Sequence, residues 1–408
     1  MKTRALSLVL VAMSMAGCAN FSGLDTQGQR LDANTLQTGQ SLSGVTLSTA
    51  AWPTADWWKS LGDPQLDGLI HEALQNSPDM QVASARAHQA EAAAYAADAE
   101  RMPTLDASAG VSRSRLAKDQ DPRGVGDTYA TVRNIGASFN YNFDLWGGQR
   151  AAWEAALGQA RAAEVDQQAA RLTLAANVAK AYSDLGQAHI VRDLASDDLK
   201  RTRQMLDLSQ RRLSSGIDSE YQYQQTESLE ASSQSQLIDA EKQLQSAKIA
   251  LAVLLGKGPD RGGELSRPNV LKPSAVAVPS VLPAELLGRR PDLIAARWRV
   301  EAASKNVAAS KTRFYPNLNL SASAGAESLL GDAMFGSASR FFSIAPTISL
   351  PIFDGGRLRA DLDARDADYD LAVAQYNKTL VQALGDIGNN IAQLRDTEIG
   401  RASCRERV

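Results

Sequence analysis

The chain has 408 residues with 43 basic and 46 acidic side chains, a net charge of −3 and only 6% aromatic residues. The balance gives no basic field and argues against a nucleic-acid partner. Plentiful alanine, glutamine and serine favour long helices packed through small side chains over a large globular core.

Near the start, Lys2 and Arg4 precede the apolar run from Ala5 to Ala12, and Met15-Ala16-Gly17 leads to Cys18. This is a bacterial secretory signal, to be set apart from the fold. The small residues before the cysteine point to a lipoprotein signal, with Cys18 as the acylated first residue of the mature chain. The alternative is an ordinary signal whose cysteine is incidental. Ala19 stands where an aspartate would argue for inner-membrane retention, so the outer membrane is favoured. Cys18 and Cys404 have no neighbours at metal-ligand spacing, so neither a disulfide framework nor a metal site is expected. No segment reaches the roughly 18 consecutive apolar residues of a membrane helix, so a membrane crossing would have to use strands.

The middle of the chain is duplicated. Pro78-Asp79 and Pro291-Asp292 are 213 positions apart, as are Pro103-Thr104-Leu105 and Pro316-Asn317-Leu318. Gly147-Gly148 and Gly355-Gly356 are 208 apart, so the intervening loop of the second copy is shorter by five. A repeat this long signals duplication of a whole structural unit. Each copy reads helix, two alternating segments, then a very long helix. Leu105, Ala107, Ala109 and Val111 alternate with polar residues and glycine, as do Ile135, Ala137, Phe139, Tyr141 and Phe143, and Leu318, Leu320, Ala322 and Ala324. Period-two alternation marks strands with one apolar and one polar face. Such strands suit a bilayer-crossing barrel or, equally on this signal alone, a soluble two-sheet domain. Four strands are too few to close a barrel, and an open sheet in lipid leaves unpaired edges, so several chains would have to share one. Pro346 and Pro351 predict a bulge or strand end in the fourth strand.

Gln149 to Leu213 reads as one helix of about 97 Å at 1.5 Å per residue. Ser214-Ser215-Gly216 breaks it, and a second helix runs from about Ser219 to Leu255. Leu199, Leu206 and Leu213 recur at seven, and Leu237, Ala240, Leu244, Ala247, Leu251 and Leu254 alternate steps of three and four. That spacing predicts an antiparallel coiled coil with its tip at Gly216.

At this point the chain resembles the TolC-like outer-membrane factors, specifically the NodT-type lipoprotein channels of resistance–nodulation–division efflux systems. The residues that carry the resemblance are Trp57-Trp58-Lys59, Leu61-Gly62-Asp63-Pro64-Gln65-Leu66, Leu251 to Gly256, Leu287 to Leu293, Phe314 to Leu318 and Leu350 to Arg357, and it covers roughly 51–394. It implies a mostly α fold with a β-barrel portion. Three protomers would each give four strands to a shared twelve-stranded transmembrane barrel, continued by long coiled-coil helices as a periplasmic α-barrel. It also implies a periplasmic adaptor at the hairpin tips, an inner-membrane pump beyond it, contact with outer-membrane lipid and passive conduction of small molecules. Ser215, Gly216, Ile217, Asp218 and Ser219 are the candidate adaptor contacts, beside the lipid-attachment residue Cys18. A turn-only role for Gly216 is the plain alternative. Where the family often has an aspartate six residues after the tip glycine, this chain has Gln222.

The expected organisation follows: signal peptide 1–17; lipidated and equatorial segment 18–65; first repeat 66–258, with strands near 104–116 and 129–144 and its tip near 214–219; linker and equatorial segment 259–283; and an incomplete second repeat 284–398, with strands near 317–330 and 341–353. In the last helix the rhythm of Leu380, Leu384, Ile387, Ile391 and Leu394 stops, and 399–408 has no apolar face. The expectation is that this tail is not native and that a second hairpin, which in the family carries much of the gate, belongs after it.

No catalytic residue, metal or cofactor is expected. His71, His88 and His189 lack metalloprotease spacing and read as solvated, as do Asp361, Asp363, Asp366 and Asp368. Gly124-Val125-Gly126 opens no helix and is no phosphate cradle. The rival readings are a duct for type I protein secretion and, against the duplication, a periplasmic adaptor lipoprotein.

Overall fold

The computed structural model describes residues 21, 23–32, 47–48, 56–115, 129–269, 278–279, 288–328 and 334–406, and the side chains of 47–48, 130, 278–279, 394–395 and 397–406 lie outside the description. Cys18, the signal segment, the Gly124–Gly126 loop and the Cys404 side chain therefore fall outside it.

The described elements are β1 (Leu47–Ser48), α1 (Pro64–Asn76), α2 (Pro78–Ala99), β2 (Thr104–Arg115), β3 (Tyr129–Phe143), α3 (Gly148–Ser214), α4 (Glu220–Leu254), β4 (Val278–Pro279), α5 (Pro291–Thr312), β5 (Asn317–Ser328), β6 (Arg340–Ser349) and α6 (Arg357–Glu406). The chain divides into two compact units, and each draws on both copies of the duplication. Of the described residues, one comprises 21, 23–32, 88–115, 129–162, 293–328 and 334–383; the other comprises 47–48, 56–87, 163–269, 278–279, 288–292 and 384–406.

The first unit holds one antiparallel sheet in the order β2-β3-β5-β6, a hairpin from each copy joined along β3 and β5. The two strand-to-helix turns use one device with different spacing. Asp144 accepts the amides of Gln149 and Arg150 at 3.0 and 2.8 Å, and Asp354 accepts those of Gly356 and Leu358 at 3.0 and 2.8 Å. Gly147 and Gly355 supply the left-handed backbone of the two turns. The Leu358 and Gly356 amides hold the Asp354 carboxyl below its ordinary pKa. Small residues then let helices approach: a Cβ at Gly158 would sit 3.1 Å from that of Ala302. Arg161 covers Trp298, and Glu154 receives Lys305 at 2.6 Å and Arg150 at 2.9 Å.

Two expectations need correction here. Pro346 lies inside β6, paired with Leu320 in unbroken register, so there is no bulge; within the protomer β6 pairs on one side only, with β5, and a residue without N–H is accommodated there. Pro351 does lie just past the strand end. Asp366 is buried at 4% exposure instead of solvated, because it falls on the inward stripe of α6 four residues after Leu362 and seven before Val373. Neither of its oxygens has a hydrogen-bond partner among the described residues. Burial raises its pKa, with Asp25, Asp370 and Asp363 adding to the shift and Lys311 opposing it. Nearby, residues 27–31 are strapped to α6. Asp370 accepts the amides of Gln27 and Gly28, and Asn377 accepts from the Leu31 amide and donates to the Gln29 carbonyl.

In the second unit the root of the α3–α4 hairpin closes a conventional core. Leu174, Val178, Tyr182 and Leu185 of α3 pack with Leu251 and Leu255, with Leu66 and Ile70 of α1, and with Trp58. Asp63 caps α1 by accepting the Gln65 amide at 2.9 Å, and its other oxygen accepts the buried Tyr182 hydroxyl at 2.7 Å. Burial, reinforced by that carboxylate, holds the Tyr182 phenol protonated well above its ordinary range. At Gly256 a Cβ would sit 2.4 Å from the Asn76 carbonyl, and φ is 69°, so both space and backbone call for glycine. His189 is also half-buried, its Nε2 without a partner among the described residues, and burial lowers its pKa. His71 and His88 are exposed as expected.

Candidate functional sites: the two-faced sheet and the hairpin tip

The register sorts the sheet into two faces. Leu105, Phe139, Ala322 and Ile344 lie in one row; Ala107, Ala137, Ala324 and Phe342 form the next; Phe143, Leu318 and Ile348 form the row nearest the helices. The opposite face carries Ser108, Ser138, Asn140, Asn142, Asn319, Ser321, Ser323, Ser343 and Thr347. Ser323 and Ser343 hydrogen-bond across strands at 2.9 Å. Water normally drives an apolar face of this size into a core. Here it is bare: Leu105 is 75% exposed, Ile344 72% and Phe342 84%. Tyr141 and Phe143 meet edge to face at the helix end of the sheet, where Trp146 stacks on Tyr315 and donates to the Pro316 carbonyl at 2.8 Å.

At the hairpin tip, α3 ends in a Schellman motif. The Ile217 amide donates to the Arg212 carbonyl and the Gly216 amide to that of Leu213, both at 2.9 Å, with Gly216 at φ 69°. Arg212 reaches over the turn to Asp218 at 2.9 Å. Ser219 then starts α4 with a capping box: its hydroxyl accepts the Gln222 amide, and the Gln222 side chain accepts the Ser219 amide at 2.8 Å. So Gln222, where the family often has aspartate, is a cap of the tip. The structure brings Ser215, Gly216, Ile217, Asp218 and Ser219 together in one exposed turn, with Ile217 65% exposed.

Below the tip the pairing is antiparallel, since Asp198 meets Ser233 and Arg203 meets Glu230. The seam includes residues that the leucine count misses. Thr202, Ser209 and Ser233 are buried between Leu199, Leu206, Leu213 and Leu237, at steps of three and four. Hydroxyls do not register as apolar, yet the heptad phase would have found them.

The model of the family described as "outer membrane efflux protein" matches residues 69–257 and 282–398. The chain belongs to that family. Among curated relatives, the fusaric acid resistance protein FusA of Burkholderia cepacia is 36% identical over 375 residues, covering 90% of this chain and 69% of the relative. The multidrug resistance outer membrane protein MdtP of Escherichia coli O6:H1 is 30% identical over 407 residues, covering 97% of this chain and 82% of the relative. Among solved structures, the outer membrane protein VceC of Vibrio cholerae has a TM-score of 0.78 at 35% identity, covering 84% of this chain and 82% of that one. The Campylobacter jejuni CmeC outer membrane channel shares the fold, with a TM-score of 0.85 at 23% identity over 94% of this chain and 82% of its own.

Family membership explains the bare sheet: the efflux protein is an outer-membrane channel of TolC-like fold, mostly helical with a barrel portion, and it is not an enzyme. A transmembrane barrel turns an apolar face to lipid and a polar face to its lumen, the same division that the register shows in this sheet. From Phe143 to Arg133 is ten residues, or roughly 34 Å along a strand, which at a tilt of about 40° spans close to the ~25 Å apolar band of an outer-membrane barrel.

Proposed function

We propose that this chain is the exit duct of a tripartite drug-efflux pump: a homotrimer whose protomers each give β2, β3, β5 and β6 to one barrel. It takes small organic compounds from a resistance–nodulation–division pump through a periplasmic adaptor and is held to the outer membrane by acylation at Cys18. The observation that carries this reading is the exposed apolar face, continuous in register across all four strands and bounded by two open edges at β2 and β6. Unpaired strand edges are not tolerated in lipid, and four strands cannot close on themselves, so neighbouring protomers must complete the ring. The named relatives point to toxic organic compounds as cargo, fusaric acid for one and multiple drugs for another. The tip turn Ser215–Ser219 offers the adaptor a rigid, doubly capped surface with one apolar side chain, Ile217, at its centre.

The test is complementation in a strain lacking the gene. The wild-type protein should fractionate with the outer membrane as a heat-modifiable trimer, take up labelled palmitate and restore drug tolerance. Cys18→Ala should lose the label, and Ile217→Asp should keep the trimer yet lose tolerance. Recovery of the unlabelled protein from the soluble periplasm would overturn the channel reading. Full tolerance with Ile217→Asp would overturn the tip assignment.

A further inference from the structure

The apolar face of the sheet carries charge at one end only, and all of it is arginine. Along β2 the row Leu105, Ala107, Ala109, Val111 continues on the same face to Arg113 and Arg115. Arg133 of β3 lies between Val111 and Ser328, and Arg340 of β6 lies opposite Ala326. All four are exposed, and the Arg113 guanidinium sits 5.2 Å over the Tyr129 ring. No acidic residue shares this face among the described residues, and the acidic residues of the sheet, Asp106 and Glu327, are both on the opposite face. The helix end of the same face has no charge and is closed by Tyr141 and Phe143.

We infer that these arginines form a binding band for phosphate-bearing glycolipid headgroups of the outer leaflet. The inference rests on the channel reading, which puts the helices in the periplasm and so the far end of the strands at the outer surface. The band lies one apolar thickness from the aromatic helix end, where lipid phosphates begin. Arginine fits that ligand: its planar fork gives two parallel hydrogen bonds to phosphate, and it stays charged at the margin of the hydrocarbon. Barrel solubility would be served by charges of either sign on either face. Segregation of four cations to the lipid face and two carboxylates to the duct face is what an anionic lipid partner requires.

The purified trimer in detergent can be titrated with bis-phosphorylated lipid A, the same lipid dephosphorylated, phosphatidylglycerol and inorganic phosphate, with bound lipid counted by native mass spectrometry. The wild type should hold the bis-phosphorylated lipid at least about tenfold more tightly than the dephosphorylated form. Arg113→Gln/Arg133→Gln/Arg340→Gln should erase that preference, and the corresponding triple lysine variant should keep only part of it. Equal binding of the two lipid A forms, an unaltered glutamine variant, or equal displacement by inorganic phosphate would each overturn the inference. Heat-modifiable migration of the same preparations separates the failures. A trimer that ignores the phosphates sinks the band alone, whereas a wild-type chain that forms no barrel sinks the channel reading and the band with it.

Discussion

The sheet of the first unit and the root of the hairpin in the second use apolar side chains in opposite ways. At the root, Tyr182, Leu185, Leu251 and Leu255 are wholly buried, and the polar groups among them are matched, Tyr182 to Asp63 and Trp58 to Asp67. On the sheet, Leu105, Phe342, Ile344 and Ile348 are as apolar and are left open. One region is built for water outside and the other for lipid outside. The same residue type therefore stabilises by being hidden in one place and by being displayed in the other.

Substitutions in the two regions should differ in size and in the solvent that reveals them. Leu251→Ala leaves a cavity in the root and should cost about 2–5 kcal/mol, read as a lowered unfolding midpoint in detergent. Ile344→Arg should cost about 2–4 kcal/mol only when the protein is in a bilayer, whereas its neighbour Ser343→Arg on the duct face should cost less than half of that. A comparison of folding in lipid and in chaotrope separates the two.

Asp366 tests a third environment, a carboxyl buried without a hydrogen-bond partner among the described residues. Its folded pKa is raised above that of the unfolded chain, so its contribution is fully present below the ordinary carboxylate range and is lost as pH rises through the raised value. Asp366→Asn should flatten that dependence and stabilise the protein at neutral pH by about 1–3 kcal/mol, measured as the midpoint against pH. The smallest effect belongs to the tip. Gly216→Ala strains a left-handed residue that nothing crowds and should cost about 1 kcal/mol, with faster amide exchange confined to the turn.

Much of this arrangement is legible in the residues. Strand parity, the proline-bounded repeat and the Ser-Ser-Gly break locate the first three strands and the tip to within a residue or two, because period and glycine geometry are local signals; β6 ends at Ser349, four residues before the expected 353. What escapes reading depends on neighbours. Thr202, Ser209 and Ser233 look like surface hydroxyls until a partner helix covers them, and Asp366 looks solvated until Phe21, Leu24, Asp25 and α5 stand near α6. The arginine band needed only that the β2 parity be followed two steps past Val111 and carried across the ladder. Gln222 reads as a missing family residue, yet its role is in the helix cap that the preceding serine requires.

The central claim, that one face of this sheet meets lipid and the other the duct, is tested most directly by single cysteines along β6 in the native outer membrane. Phe342→Cys, Ile344→Cys and Ile348→Cys should resist a water-soluble maleimide and react with a lipid-soluble one, while Ser343→Cys, Ala345→Cys and Thr347→Cys should show the reverse. Equal labelling of both sets by the water-soluble reagent would contradict the account.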